Sequence, residues 1–151
     1  MMDVCVQSTL ERVYRREVLS FLQYVRQTTP YAGPADRPLV ARLRELAATE
    51  ADALERFADW LEDHHMPRPP SGAFPSSFTN YNFVVVRKLL PEVVADHTRA
   101  LAELEHDLAK LPPGDVRDQV ENLAAVKRMH LTELEKVGQN GQVRPTSAAT
   151  P

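Results

Sequence analysis

The chain has 151 residues, with 18 Lys and Arg against 21 Asp and Glu and a formal net charge of −3. That is enough chain for one domain with a proper core, and the mixed charge argues against a nucleic-acid partner, which calls for a basic face. No apolar run is long enough for a membrane span, the opening MMDVCVQSTLERVYRREV lacks the apolar stretch of a signal peptide, and the single cysteine, Cys5, has no intrachain disulfide partner, so a cytoplasmic protein is expected.

Apolar residues recur at spacings of three and four in four segments, which predicts four helices. The first runs from about Val6 to Thr28 and ends before the proline- and glycine-punctuated TTPYAGPADRP. The second runs from about Asp36 to His65, with Asp36 as N-cap and Pro38 in the first turn. The third spans about Asn80 to Leu111, and Pro91 inside it should kink or split it. Its opening FVVV (83–86) is β-branched enough for a strand, but no partner strand is available, so it is read as helix. The fourth runs from about Asp115 to Val137. The remainder, residues 138–151, is polar, small and proline-containing and is expected to be a disordered tail.

The connection MPRPPSGAFPSSFTN (66–80) carries four prolines, which favour an extended path. Fifteen such residues reach roughly 45–50 Å, and the second helix is roughly 43 Å long at about 1.5 Å per residue. The loop can therefore return along the whole helix. We read an all-α four-helix bundle with one long crossover between helices two and three; the alternative is a surface meander in a simple up-down bundle.

Each helix shows an inward stripe, and each stripe is interrupted near its middle by polar residues. In helix one the stripe is Leu10, Val13, Glu17, Phe21 and Tyr24; in helix two it runs through Leu46, Glu50, Ala53 and Phe57. In helix three it runs through Val93, His97 and Leu101, and in helix four through Leu123, Lys127, His130 and Leu134. Charges inside a core come paired or metal-bound because a lone buried charge costs several kcal/mol. Polar groups at mid-height on four helices point to one shared cluster: Glu17, Glu50, His97, Lys127 and His130. The bland alternative, that one or another of these positions sits at a solvated boundary, holds better for any single residue than for all five.

These residues resemble a known superfamily. The stretch REVLSFLQYV (16–25) is similar to the first helix of bacterioferritins and rubrerythrins, in which a metal-binding Glu is followed six and seven residues later by Gln-Tyr; here these are Glu17, Gln23 and Tyr24. The stretch TEADALERFADWLEDH (49–64) resembles the second helix of that family, with Glu50 standing 33 residues after Glu17. Ferritin-like di-iron proteins place a Glu on helices one and three and Glu-x-x-His on helices two and four. This chain departs from that pattern. Ala53 stands where the helix-two His belongs, Lys127 where the helix-four Glu belongs, and His97 (or Val93 or Val94) where the helix-three Glu belongs. Glu17, Glu50 and His130 remain.

The resemblance therefore implies a ferritin-like fold, with iron or another divalent metal as the family's cofactor. The lysine speaks for no cofactor: it removes a bridging carboxylate and adds a positive charge where a metal would sit. Paired with Glu17 and Glu50 it leaves a charge of about −1, which a protonated His97 or His130 would neutralise. The expected function is a structural or binding module, with a homodimer among its assemblies, and no catalytic residue is assigned. The alternative is an altered metal site held by Glu17, Glu50, His97 and His130, serving iron handling or oxidoreduction. Elsewhere, His64 and His65 suit a solvated helix end, His106 lies off the stripe, and Arg12, Arg15, Arg16 and Arg26 are read as a solvated face. No glycine-rich phosphate loop, CxxC or Ser-His-Asp pattern is present.

Overall fold

The structure, a computed structural model, describes residues 2–28 and 30–148, with 140–148 described by backbone alone. It is all-helical: α1 (Val4–Val18), α2 (Phe21–Gln27), α3 (Arg37–Asp63), α4 (Val86–Lys110) and α5 (Asp115–Ala148), with short 3₁₀ turns at Pro34–Asp36 and Ser76–Tyr81. Among the described residues there is no strand beyond an isolated parallel bridge between Tyr31 and Val85, and no helix is long and apolar enough to cross a membrane.

The expected first helix is two helices. Ser20 interrupts it, in an extended conformation, and its hydroxyl accepts from the Gln23 amide at 3.4 Å as the cap of α2. A serine competes for local backbone donors, which makes it a better cap than an interior residue. The break is also held from outside, since the Phe21 amide donates to Asp96 Oδ2 at 2.9 Å. Gln23 then ties α2 to α3 through a 2.8 Å bond to the Ala47 carbonyl, and Tyr24 donates its hydroxyl to Asn82 in the α3–α4 connection.

Helix α3 begins one residue after Asp36 with Pro38 in its first turn, a position where the missing N–H has no intrahelical partner to lose. The Asp36 side chain makes no capping bond; it accepts from Arg87 Nε at 2.6 Å instead. The helix ends at Asp63, and the exposed His64 ring lies 2.8 Å from the Trp60 carbonyl through Nδ1 while stacking on the Trp60 indole.

The connection 64–85 is fastened along its length. Arg68 reaches Glu55, Asp59 and Glu62 on α3, and Phe74, Phe78 and Tyr81 pack their rings on Phe21 and Tyr24. Helix α4 starts at Val86 rather than near Asn80. Residues 76–81 form the 3₁₀ turn, Phe83 is exposed, and the Val86 amide is taken by the Tyr31 carbonyl at 3.0 Å. Helix α4 runs unbroken through Pro91, so the expected split does not occur. Helix α5 runs past the boundary expected at Val137, and its helical backbone continues over 138–148, where a disordered tail is expected from sequence. Extending an existing helix adds one hydrogen bond per residue fixed. Residues 149–151 of that expected tail lie outside the described residues.

The core has two apolar clusters. One joins Leu10 and Val13 of α1 to Phe57 and Leu61 of α3, Leu104 of α4 and Val120 of α5. The other joins Phe21 and Leu22 of α2 to Leu43 of α3, Val86 and Val93 of α4 and Leu134 of α5. On every chain segment a polar residue falls in the sequence gap between the two sets.

A buried lysine, glutamate and histidine cluster

Five buried polar side chains occupy that gap: Glu17 of α1, Glu50 of α3, His97 of α4, and Lys127 and His130 of α5, all between 0 and 4 % exposed. Helical periodicity puts them there. Glu17 is four residues after Val13, Glu50 three after Ala47, His97 four after Val93, and Lys127 three after Ala124, each continuing a buried row. Lys127 and His130, three apart on α5, project to the same side.

Lys127 Nζ lies 2.9 Å from Glu17 Oε1 and 3.3 Å from Glu50 Oε1, an ion pair to each. The other Glu50 oxygen, Oε2, is 2.6 Å from His97 Nε2 and 2.8 Å from His130 Nδ1. Both rings therefore donate to one carboxylate oxygen, which fixes Nε2–H on His97 and Nδ1–H on His130. Burial pushes the Glu50 carboxyl up, but the Lys127 charge and the two imidazole hydrogen bonds override it and hold its pKa well below the usual range. Burial likewise works against the Lys127 ammonium, and the Glu17 and Glu50 carboxylates more than reverse it, holding its pKa above the usual lysine value.

A second cation meets Glu17. Arg16 Nε stands 3.9 Å from Glu17 Oε2 and 3.1 Å from Glu103, while its Nη1 is 3.1 Å from the buried Asp107. Arg12 bonds the other Asp107 oxygen at 2.9 Å. Arg16 is thus shared among three acids, with its shorter contacts to Glu103 and Asp107 and its longer one to Glu17. Arg16 and Asp107 are the members that sequence reading missed. Asp107 sits three residues after Leu104 and beside Leu108, at the edge of the α4 stripe, which is the available signal. Arg15 and Arg26 are exposed, as is His106. Cys5 is exposed in the first turn of α1.

Of the three candidates for the helix-three position, His97 joins the cluster; Val93 and Val94 pack in the second apolar cluster. Ala53, on α3, lines a small cavity beside Glu17, Glu50 and Lys127.

No protein-family model, curated protein or solved structure matches this chain. The metal question therefore rests on the residues. A di-iron centre does not fit them. A cation between Glu17 and Glu50 would meet the ammonium that already contacts both, and like charges at that range in a low-dielectric core repel strongly. Donor atoms of Glu50, His97 and His130 do lie within 4.8 Å of one another. Glu17, the fourth expected ligand, stands outside that group.

Proposed function

We propose that this chain is a ferritin-like four-helix bundle, with a long crossover between α3 and α4, in which an ion-paired network has taken the place of the di-iron ligands. It acts as a structural or binding module, with a homodimer as the assembly expected of it. The observation that carries this reading is the Lys127 ammonium seated on Glu17 and Glu50 at 2.9 and 3.3 Å. Those two carboxylates are the ones the resemblance would assign to metal.

The topology has its own support. The N-terminal halves of α3 and α4 share one apolar cluster, Leu43 with Val86 and Val93. Their C-terminal halves share the other, Phe57 and Leu61 with Leu104. Helices that enter the two clusters in the same order run the same way. The connection between them spans residues 64–85 and reaches up to about 70 Å at roughly 3.3 Å per residue, ample for a return along a helix about 40 Å long.

A second reading is favoured by the convergence of Glu50, His97 and His130. Two imidazoles and a carboxylate suit one divalent cation such as zinc. Each histidine would have to turn a lone pair to the metal in place of its hydrogen bond to Glu50, with Lys127 still 3.3 Å from the remaining oxygen.

Elemental analysis of protein expressed in iron- and zinc-supplemented medium separates the two. The ion-paired network predicts no stoichiometric metal in a normally folded protein. Stoichiometric metal that disappears in His130→Ala would overturn that reading in favour of the second.

A further inference from the structure

The ion pairs do not use every polar atom in the cluster. Glu17 Oε2 is buried without a hydrogen-bond donor, and Lys127 Nζ is buried without an aligned acceptor. An ammonium carries three donors and a carboxylate oxygen accepts readily, and buried polar groups in native proteins find partners from protein or from ordered water.

A place for such a partner exists. Between α3 and α5 lies a cavity of about 10 Å³ walled by Glu17, Glu50, Lys127, Ala53, Leu123 and Val126. That is the low end of the roughly 10–15 Å³ one water needs, and such a water calls for two to four polar partners. The cavity exists because residue 53 is alanine; a larger side chain there would fill it. Outside it lies a groove of about 380 Å³ that shares Ala53, Leu123 and Val126 as lining and carries Asp59, Asp63 and Asn122 at its polar edge.

We propose that one water molecule is bound in the Ala53 cavity, accepting from Lys127 Nζ and donating to Glu17 Oε2, and that it exchanges with solvent past Ala53 through the α3–α5 groove. The network then consists of two carboxylates, a lysine, two histidines and a water that gives partners to Glu17 Oε2 and Lys127 Nζ, while His97 Nδ1 stays buried without one. This rests on the metal-free reading of the site.

The test is a high-resolution crystal structure of the full chain, with anomalous scattering data, joined to water–ammonium cross-relaxation measured on ¹⁵N-lysine-labelled protein. The expected result is a single light-atom peak within hydrogen-bond distance of both atoms and a water cross-peak at the Lys127 ammonium. Both should be lost in Ala53→Val, with the Lys127 contacts to Glu17 and Glu50 retained. A dry cavity in the unmodified protein with those contacts intact overturns the proposal while leaving the metal-free reading standing. An anomalous peak overturns the reading beneath it. A water that persists in Ala53→Val overturns the assignment to this cavity. Should that variant fail to fold, the density and cross-peak of the unmodified chain decide the matter alone.

Discussion

Lys127 of α5 and Glu17 of α1 meet at 2.9 Å in the interior, the lysine 1 % and the glutamate 3 % exposed. Both charges have left water, so each depends on the other. Removing one partner of a buried pair leaves an uncompensated charge and costs about 3–5 kcal/mol, whereas replacing the whole set by neutral groups of similar shape is close to neutral. Lys127→Ala should therefore lower the unfolding free energy by about that amount, read as a drop in the urea midpoint. Lys127→Met combined with Glu17→Gln and Glu50→Gln should recover much of the loss. An unchanged midpoint in Lys127→Ala would mean that the pair is not buried in solution.

The same pairings set how stability responds to pH. The folded pKa of Glu50 lies well below the ordinary 4.5, so its contribution is present above that value and is lost as pH falls through the folded pKa. Lys127 has a folded pKa above the ordinary 10.5, so its contribution is fully present below 10.5 and is lost as pH rises through the folded pKa. From these two groups a stability plateau is expected between about 4.5 and about 10.5. Urea midpoints taken across that range and beyond it check this. Glu50→Gln should flatten the acid limb, and an acid limb of undiminished slope in that variant would assign it to other carboxylates.

How much of this was legible in the sequence depends on how local the cause is. Glu17, Glu50, His97, Lys127 and His130 stood out because each interrupts an apolar row at helical spacing, a pattern visible within one segment. Asp107 and Arg16 did not. Their partnership joins α1 to α4 across 91 residues, and each lies at a stripe edge where a charged residue is unremarkable. The break at Ser20 was hidden because α1 and α2 keep their apolar spacing across it, and part of what holds it is Asp96, which is 75 residues from Phe21 in sequence. FVVV reads as apolar helix from sequence, yet α4 starts only at Val86; the Tyr31 carbonyl that takes the Val86 amide is again distant in sequence.

Asp107 gives a test of the layer that sequence reading missed. Its buried carboxylate accepts from Arg12 at 2.9 Å and Arg16 at 3.1 Å. Arg12 is about half exposed and screened by solvent, so Arg12→Ala should cost at most about 1 kcal/mol. Asp107→Asn weakens the Arg16 contact as well, in a drier setting, and hydrogen bonds to charged groups contribute about 1.5–3 kcal/mol. The expected order in the urea midpoint is Asp107→Asn well below Arg12→Ala. The reverse order would place the main partner of Asp107 at the surface.

Ser20 carries a smaller and more local expectation. Its hydroxyl caps α2 through the Gln23 amide, and replacing a serine cap by alanine costs about 1 kcal/mol. Ser20→Ala should show that loss, and Ser20→Gly should lose only a few tenths of a kcal/mol, because glycine is nearly as good at an N-cap. Loss confined to amide protection in α2, read by hydrogen exchange, would locate the effect at the cap. Equal stability of Ser20→Ala and the unmodified chain would shift the weight of the break to the Asp96 bond to Phe21.

The proposed replacement of metal ligands by a lysine can be tested in reverse. On that proposal, Glu50 is the Glu of one Glu-x-x-His pair and His130 the His of the other, with Ala53 on α3 and Lys127 on α5 at the positions of their missing partners. Ala53→His with Lys127→Glu completes both pairs and exchanges an ammonium for a shorter carboxylate. The unmodified chain has one cation between its glutamates and should bind Co²⁺ weakly. The double variant has three carboxylates and three histidines around the same point, so it should bind Co²⁺ at least tenfold more tightly, a difference of about 1.4 kcal/mol or more. Visible absorption during a Co²⁺ titration reads this directly. Each single variant should fall short of the double, because Ala53→His alone leaves the ammonium in place and Lys127→Glu alone offers two histidines where the double variant offers three. Equal and weak binding by the double variant and the unmodified chain would mean that this helical arrangement does not hold a ferritin-like ligand geometry, and the proposed ancestry of Lys127 would fall with it.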